Sequence, residues 1–155
     1  MTKTYESMFV LDNQVVREDW RAAKKLVTDA LAKHGAKVLT ARRWDERKLA
    51  YPIRGKRRGT YFLVWYEMGG EGTPAIRREF DLSEKVLRYM ILSSDGVPEG
   101  ERELSEAENA ADYTVPAPPP DDAVEEQVEE PRAEVSEPTE EIGLDDDVAV
   151  GEEEE

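Results

Sequence analysis

Thr60-Tyr61-Phe62-Leu63-Val64-Trp65-Tyr66-Glu67-Met68 joins aromatic and branched side chains in an almost unbroken run. Such residues favour a pleated, half-buried surface. Successive side chains of a strand point to opposite faces. Phe62, Val64 and Tyr66 therefore share one face, and Leu63 and Trp65 the other. A strand that is apolar on both faces belongs at the centre of a sheet. Thr4–Leu11 (TYESMFVL) has the same character, with Met8 and Val10 opposed to Phe9 and Leu11. The two stretches are expected to be the central strands of one sheet.

Lys37–Ile53 reads as a second, long strand with Leu39, Ala41, Leu49, Tyr51 and Ile53 apolar at odd positions. Pro52 lacks an amide proton and suits a strand end or an edge. Arg54–Gly59 (RGKRRG) reads as a basic turn, and Lys85–Ser94 (KVLRYMILSS) as the fourth strand. Trp20, Ala23, Val27, Ala30 and Leu31 recur at helical spacing over Arg17–Lys33. Glu18 and Asp19 fall in the first turn of that helix, and Gly35 suits the left-handed residue that ends many helices. Thr73-Pro74 opens a second, short helix, with Ile76 and Phe80 on one side. The order βαββαβ is that of ferredoxin-like folds. The expected class is α+β: a four-stranded antiparallel sheet with two helices on one face. Two helices leave the other face uncovered, and an exposed apolar surface marks an interaction site.

Charge divides the 155 residues in two. Residues 1–98 hold 19 Lys/Arg and 13 Asp/Glu; residues 99–155 hold 2 Arg and 23 Asp/Glu. The formal net charge of −15 thus conceals a basic head and an acidic tail. Beyond Pro98 apolar residues become sparse and Pro and Glu dominate. Such a segment buries too little to offset an ordering cost of about 1–2 kcal/mol per residue. The expected division is a folded domain at 1–98 and a disordered acidic tail at 99–155, with at most a transient, unanchored helix at 101–111. A tethered polyanion beside a basic domain also invites competition with weakly held RNA.

Catalytic chemistry finds little footing. There is no cysteine, which excludes disulfides, thiolate metal sites and thiol nucleophiles. His34, alone of its kind, stands at a helix end beside Gly35. No Ser-His-Asp set, GxxxxGK[ST] or GxGxxG occurs. Asp145–Asp147 lie in a segment expected to offer no fixed oxygen geometry for a cation. No enzyme activity, cofactor, metal or small-molecule substrate is expected. No apolar run approaches the ~20 residues of a membrane span, and no signal peptide is visible, so a cytoplasmic location is expected.

The basic residues carry more information. Arg42, Arg43, Arg47 and Lys48 flank Trp44; Arg54, Lys56, Arg57 and Arg58 fill the turn; Arg77, Arg78 and Arg88 follow. Arginine pairs with phosphate and stacks on bases, and interleaved aromatics add stacking surface. RNA contact is the expected function. An alternative is a regulatory protein that binds single-stranded RNA on its sheet face. Arg58–Trp65 (RGTYFLVW) partly fits the third-strand signature of RNA-recognition motifs: Arg58, Gly59 and Phe62 match, whereas Thr60 replaces the first stacking aromatic.

Trp44–Ile53 (WDERKLAYPI), the basic turn and Gly59-Thr60-Tyr61-Phe62 resemble the bacterial small-subunit ribosomal protein six family. Tyr5-Glu6, Gly35-Ala36 and Val86-Leu87-Arg88-Tyr89 extend the resemblance over residues 3–95. It implies the fold derived above. It also implies a non-enzymatic part of the small ribosomal subunit that binds small-subunit ribosomal RNA together with small-subunit ribosomal protein eighteen. The expected RNA-facing residues are Lys3, Tyr5, Arg54, Lys56, Arg57, Arg58 and Arg88. Those expected to face the protein partner are Arg42, Trp44, Arg47, Tyr51 and Tyr61. Asp45 and Glu46 depart from the family, which often has Gly and Arg after the Trp, and the acidic extension is unusually long.

Overall fold

The computed structural model describes residues 1–123. The expected disorder of 124–155 falls outside the described residues. Four antiparallel strands form one sheet in the order β2-β3-β1-β4: β1 (Thr2–Asp12), β2 (Lys37–Ile53), β3 (Lys56–Gly69) and β4 (Val86–Ser94). β1 and β3 are central, paired from Thr2↔Gly69 to Asp12↔Gly59. Phe9 and Leu11 of β1, and Phe62, Val64 and Tyr66 of β3, meet Val27, Leu31, Ile76 and Phe80 in the main core. Two buried polar pairs lie on this side: Ser7 Oγ is 3.0 Å from Tyr66 Oη, and Thr60 Oγ1 donates to Asn13 Oδ1 at 2.8 Å.

The first helical segment is two helices, α1 (Asn13–Glu18) and α2 (Trp20–Lys33). Asp19 is extended (φ −162°, ψ 106°) and its carboxylate accepts the Ala22 N–H, so it caps α2 from outside. Asp12 caps α1 in the same way through Gln14 N–H. After a single 3₁₀ turn (Gly70–Gly72), α3 (Thr73–Leu82) includes Thr73 as its first residue rather than as a cap. The basic turn shrinks to Arg54-Gly55, both at positive φ (50° and 76°), because Ile53 pairs with Lys56 and β3 begins there. Two central residues at positive φ suit the twist of a tight hairpin. Pro52 lies on the outer strand β2, in a stretch where its register with β3 is broken.

The face away from the helices is not bare. Leu49 and Ile53 of the β2 end fold over Val10, Leu87 and Tyr61 in a second, smaller cluster. Leu63 and Trp65 are also buried. Met90, Leu92, Trp44 and Tyr51 remain about half exposed.

Residues 99–123 overturn the expectation of a disordered tail starting at 99. Residues 95–100 carry the chain from β4 at one rim to β2 at the other, where α4 (Glu101–Asn109) lies along the β2 edge. An edge strand presents unpaired N–H and C=O groups. Ser105 Oγ accepts the Ala41 N–H and donates to the Ala41 carbonyl, both at 3.1 Å. Glu108 Oε2 accepts the Arg43 N–H at 2.6 Å, while its Oε1 accepts from Trp20 Nε1 at 3.2 Å and Lys24 Nζ at 3.1 Å. The helix is anchored by polar groups, which hydropathy does not register.

Two substitutions test this account by urea denaturation. Glu108→Ala strands a strand amide, an indole N–H and an ammonium, and should cost about 2–3 kcal/mol. Gly59→Ala would bring a Cβ within 2.5 Å of Val10 Cγ1 between the central strands and should cost about 1–3 kcal/mol.

Candidate nucleic-acid and protein interface

The expected RNA-facing residues separate into two ends of the sheet. Lys3 and Tyr5 stand where β1 begins: Lys3 is exposed, and the half-buried Tyr5 ring stacks on Tyr66 at 5.7 Å. Arg54, Lys56, Arg57, Arg58 and Arg88 gather at the opposite end, because Arg88 pairs with Val10 near the end of β1. Arg54 Nη1 donates to the Ser83 carbonyl at 2.7 Å, which holds this left-handed residue in place. Lys56 Nζ lies 3.4 Å from Asp12. The Arg88 guanidinium lies 5.5 Å from the centre of the Tyr51 ring. Tyr51, expected to face the protein partner, thus sits with Arg88, expected to face RNA.

Arg54 and Arg88 meet a third guanidinium, Arg77 of α3, around a depression of about 560 Å³ floored by Ile53, Phe80, Val86 and Leu87. Asp81 also lines it and accepts a hydrogen bond from Tyr89 Oη. Arg77 was missing from the expected site. It follows Ile76, a core residue, so its position beside the concavity could have been read from the helical face of Ile76 and Phe80. Three cations facing a partly apolar hollow from separate parts of the chain suit an extended polyanion.

Asp45 and Glu46 find their reason here. Glu46 accepts two bonds from Arg58 (2.8 and 3.1 Å) and one from Asn13. Arg58 is only 7 % exposed, so its charge is held by Glu46 inside the protein, against the expectation that it faces RNA. Asp45 accepts from Arg47 Nε at 3.0 Å. Arg47 in turn covers Trp44 at 5.1 Å and Tyr61 at 5.9 Å, and the Trp44 and Tyr61 rings meet edge to face at 6.1 Å. Trp44, Tyr61 and Arg47 thus form one aromatic–cation cluster on the hairpin. Arg42 stands apart from it, bonded through Nε and Nη2 to Glu101 at 2.7 and 2.8 Å.

Among the described residues there is no group of three or more metal-ligating side chains and no helix long and apolar enough to cross a membrane. His34 pairs with Glu79, which also accepts from Lys33, at the junction of α2 and α3.

Residues 4–93 match the family model described as ribosomal protein S6. The chain belongs to the ribosomal protein S6 family. Family membership makes it a structural protein of the small ribosomal subunit, in the cytoplasm. It is 36 % identical over 92 residues to the small ribosomal subunit protein bS6 of Rhodopirellula baltica, covering 59 % of this chain and 66 % of that one. It is 31 % identical over 93 residues to that of Fusobacterium nucleatum, covering 60 % and 99 %. In fold it is similar to the 30S ribosomal protein S6 of Thermotoga maritima, with a TM-score of 0.55 at 20 % identity over 61 % of this chain and 89 % of that one. The S6 family match ends before α4, so the helix that seals β2 is an addition to the family domain.

The Arg42–Glu101 pair ties that addition down and responds to acid. The two bonds from Arg42 hold the Glu101 carboxyl below its ordinary range, against a partial burial that pushes the other way. A depressed folded pKa gives stability above the unfolded carboxylate value, about 4.3, that is lost as pH falls through the lower folded value. Trp20 fluorescence should therefore report loosening of α4 as the pH falls below the ordinary carboxylate range. Glu101→Gln should remove most of that response.

Proposed function

We propose that the protein binds small-subunit ribosomal RNA together with small-subunit ribosomal protein eighteen, and acts by position rather than catalysis. One observation carries this reading. The outer strand β4 presents Arg88, Met90 and Leu92 in alternation on the face away from the helices, and all three are exposed. The arginine borders the hollow shared with Arg54 and Arg77. The two apolar side chains, 52 % and 47 % exposed, continue the same row. A phosphate grip thus adjoins an apolar strip, which suits a nucleic acid and a protein held side by side.

In this arrangement Arg54, Arg77 and Arg88 hold phosphates, with Lys56 and Arg57 on the same hairpin. Lys3 and Tyr5 extend the RNA surface at the far end of the sheet. Met90, Leu92, Tyr51 and the Trp44–Arg47–Tyr61 cluster receive the partner protein. Arg58 and Arg42 support the surface from within their own ion pairs. Binding of the two partners is coupled and reciprocal.

The alternative of a sheet-face reader of single-stranded RNA loses its platform. Thr60 and Phe62 occupy the stacking positions of the partial signature, and both are fully buried against the helices. An aromatic turned into the core offers no face to a base.

Titration of a small-subunit RNA fragment, with and without protein eighteen, tests the proposal. Affinity should fall steeply with salt. Arg88→Ala should weaken RNA binding and lower the salt slope by about 0.7–0.9 for a lost phosphate contact. Leu92→Glu should leave that slope in place but abolish the tighter binding seen with protein eighteen. Equal behaviour of both variants and the parent would refute the assignment.

A further inference from the structure

The N–H groups of Arg57 and Arg58 donate to a single oxygen, Asp121 Oδ1, at 2.7 and 2.9 Å. In a regular strand, consecutive amides point to opposite sides. Here β3 has passed the last residue paired with β1, Gly59, and its register with β2 is broken between Lys48 and Ile53. Arg58 stays opposite Lys48 on β2 and lies beyond the β1 ladder, Arg57 falls in the break, and the two amides converge on one acceptor. Converging main-chain N–H groups make a concavity that binds anions. The exposed side chains of Arg54 and Arg57 stand on the same hairpin.

Asp121 is delivered to this point by the segment after α4. Arg17 clasps that segment, donating from Nη2 to the carbonyls of Pro118 at 3.1 Å and Pro119 at 2.9 Å. Just beyond it, Arg58 Nη1 donates to the Ala123 carbonyl at 3.4 Å. The run Pro118-Pro119-Pro120 limits the backbone freedom lost on docking.

We propose that the Arg57–Arg58 amides form a phosphate-binding site, and that Asp121 is its built-in occupant. The inference rests on the ribosomal RNA reading for the identity of the external ligand, a backbone phosphodiester. Carboxylate and phosphate offer the same kind of oxyanion to N–H donors. A tethered carboxylate acts at an effective concentration that can reach ~mM. It therefore excludes free phosphate and RNA held by few contacts. RNA that also engages Arg54, Arg77 and Arg88 gains enough to displace it. The extension becomes a selectivity filter that favours multiply held RNA over single contacts.

The full chain and its Asp121→Ala variant test this, with Asp122→Ala as a control and Trp20 fluorescence reporting that α4 stays docked. In Asp121→Ala, titration with inorganic phosphate should shift the Arg57 and Arg58 amide resonances, at concentrations about tenfold below those needed in the parent. Silent amides in Asp121→Ala, or equal responses in both proteins, would overturn the site. At low salt, Asp121→Ala should bind a single-stranded homopolymer RNA about three- to tenfold more tightly than the parent. Unchanged RNA affinity alongside a phosphate response would leave an anion site and overturn its use by RNA. Failure of both proteins to bind RNA while the amides still respond would instead overturn the ribosomal RNA reading and leave the anion site standing.

Discussion

A four-stranded sheet with two covering helices can hide only one of its faces, yet β1 and β3 are apolar on both. Much of the remaining structure answers that mismatch. On the helical face, Phe9, Phe62 and Phe80 close a conventional core. On the other, Leu49 and Ile53 fold back over Val10 and Leu87 and close part of the surface. What stays open is confined to a strip along β4 and an aromatic cluster on the hairpin. The unsatisfied remainder of the sheet is the apolar surface that stays exposed.

The same economy governs charge. Glu46 holds Arg58, Asp45 holds Arg47 and Glu101 holds Arg42. Three of the cations that look available in the sequence are thus engaged by neighbouring acids. Arg88 and Arg77 then gain weight, because the hollow they share with Arg54 sits beside apolar side chains. Electrostatic attraction falls off within about a Debye length at physiological salt, so placement of the cations decides more than their number.

The fold was legible because periodicity reports burial directly. Phe62 against Leu63, and Phe9 against Val10, showed two-sided strands, and TYFLVWYEM lies where that pattern placed it. Breaks that depend on one side chain were not legible. Asp19 looked like a first-turn acid and is a cap, a distinction that rests on its own backbone angles. The larger miss was α4. Composition weighs apolar burial, whereas Ser105 and Glu108 hold this helix by answering the edge of β2. Nothing in the sequence of α4 reveals which strand has groups to answer. The grouping of the candidate site was not legible, because Arg58 and Arg88 differ only in what faces them.

Strand order also has a consequence for synthesis. The groups that close the outer rim of β2 are encoded after β4, so the matched domain emerges first. Until Ser105 and Glu108 follow, the Ala41 and Arg43 amides and the Ala41 carbonyl are left to water. A nascent chain in that interval carries a ready template for pairing with a neighbouring chain. The late helix ends that exposure as it docks, so the segment translated just after the domain acts as its chaperone.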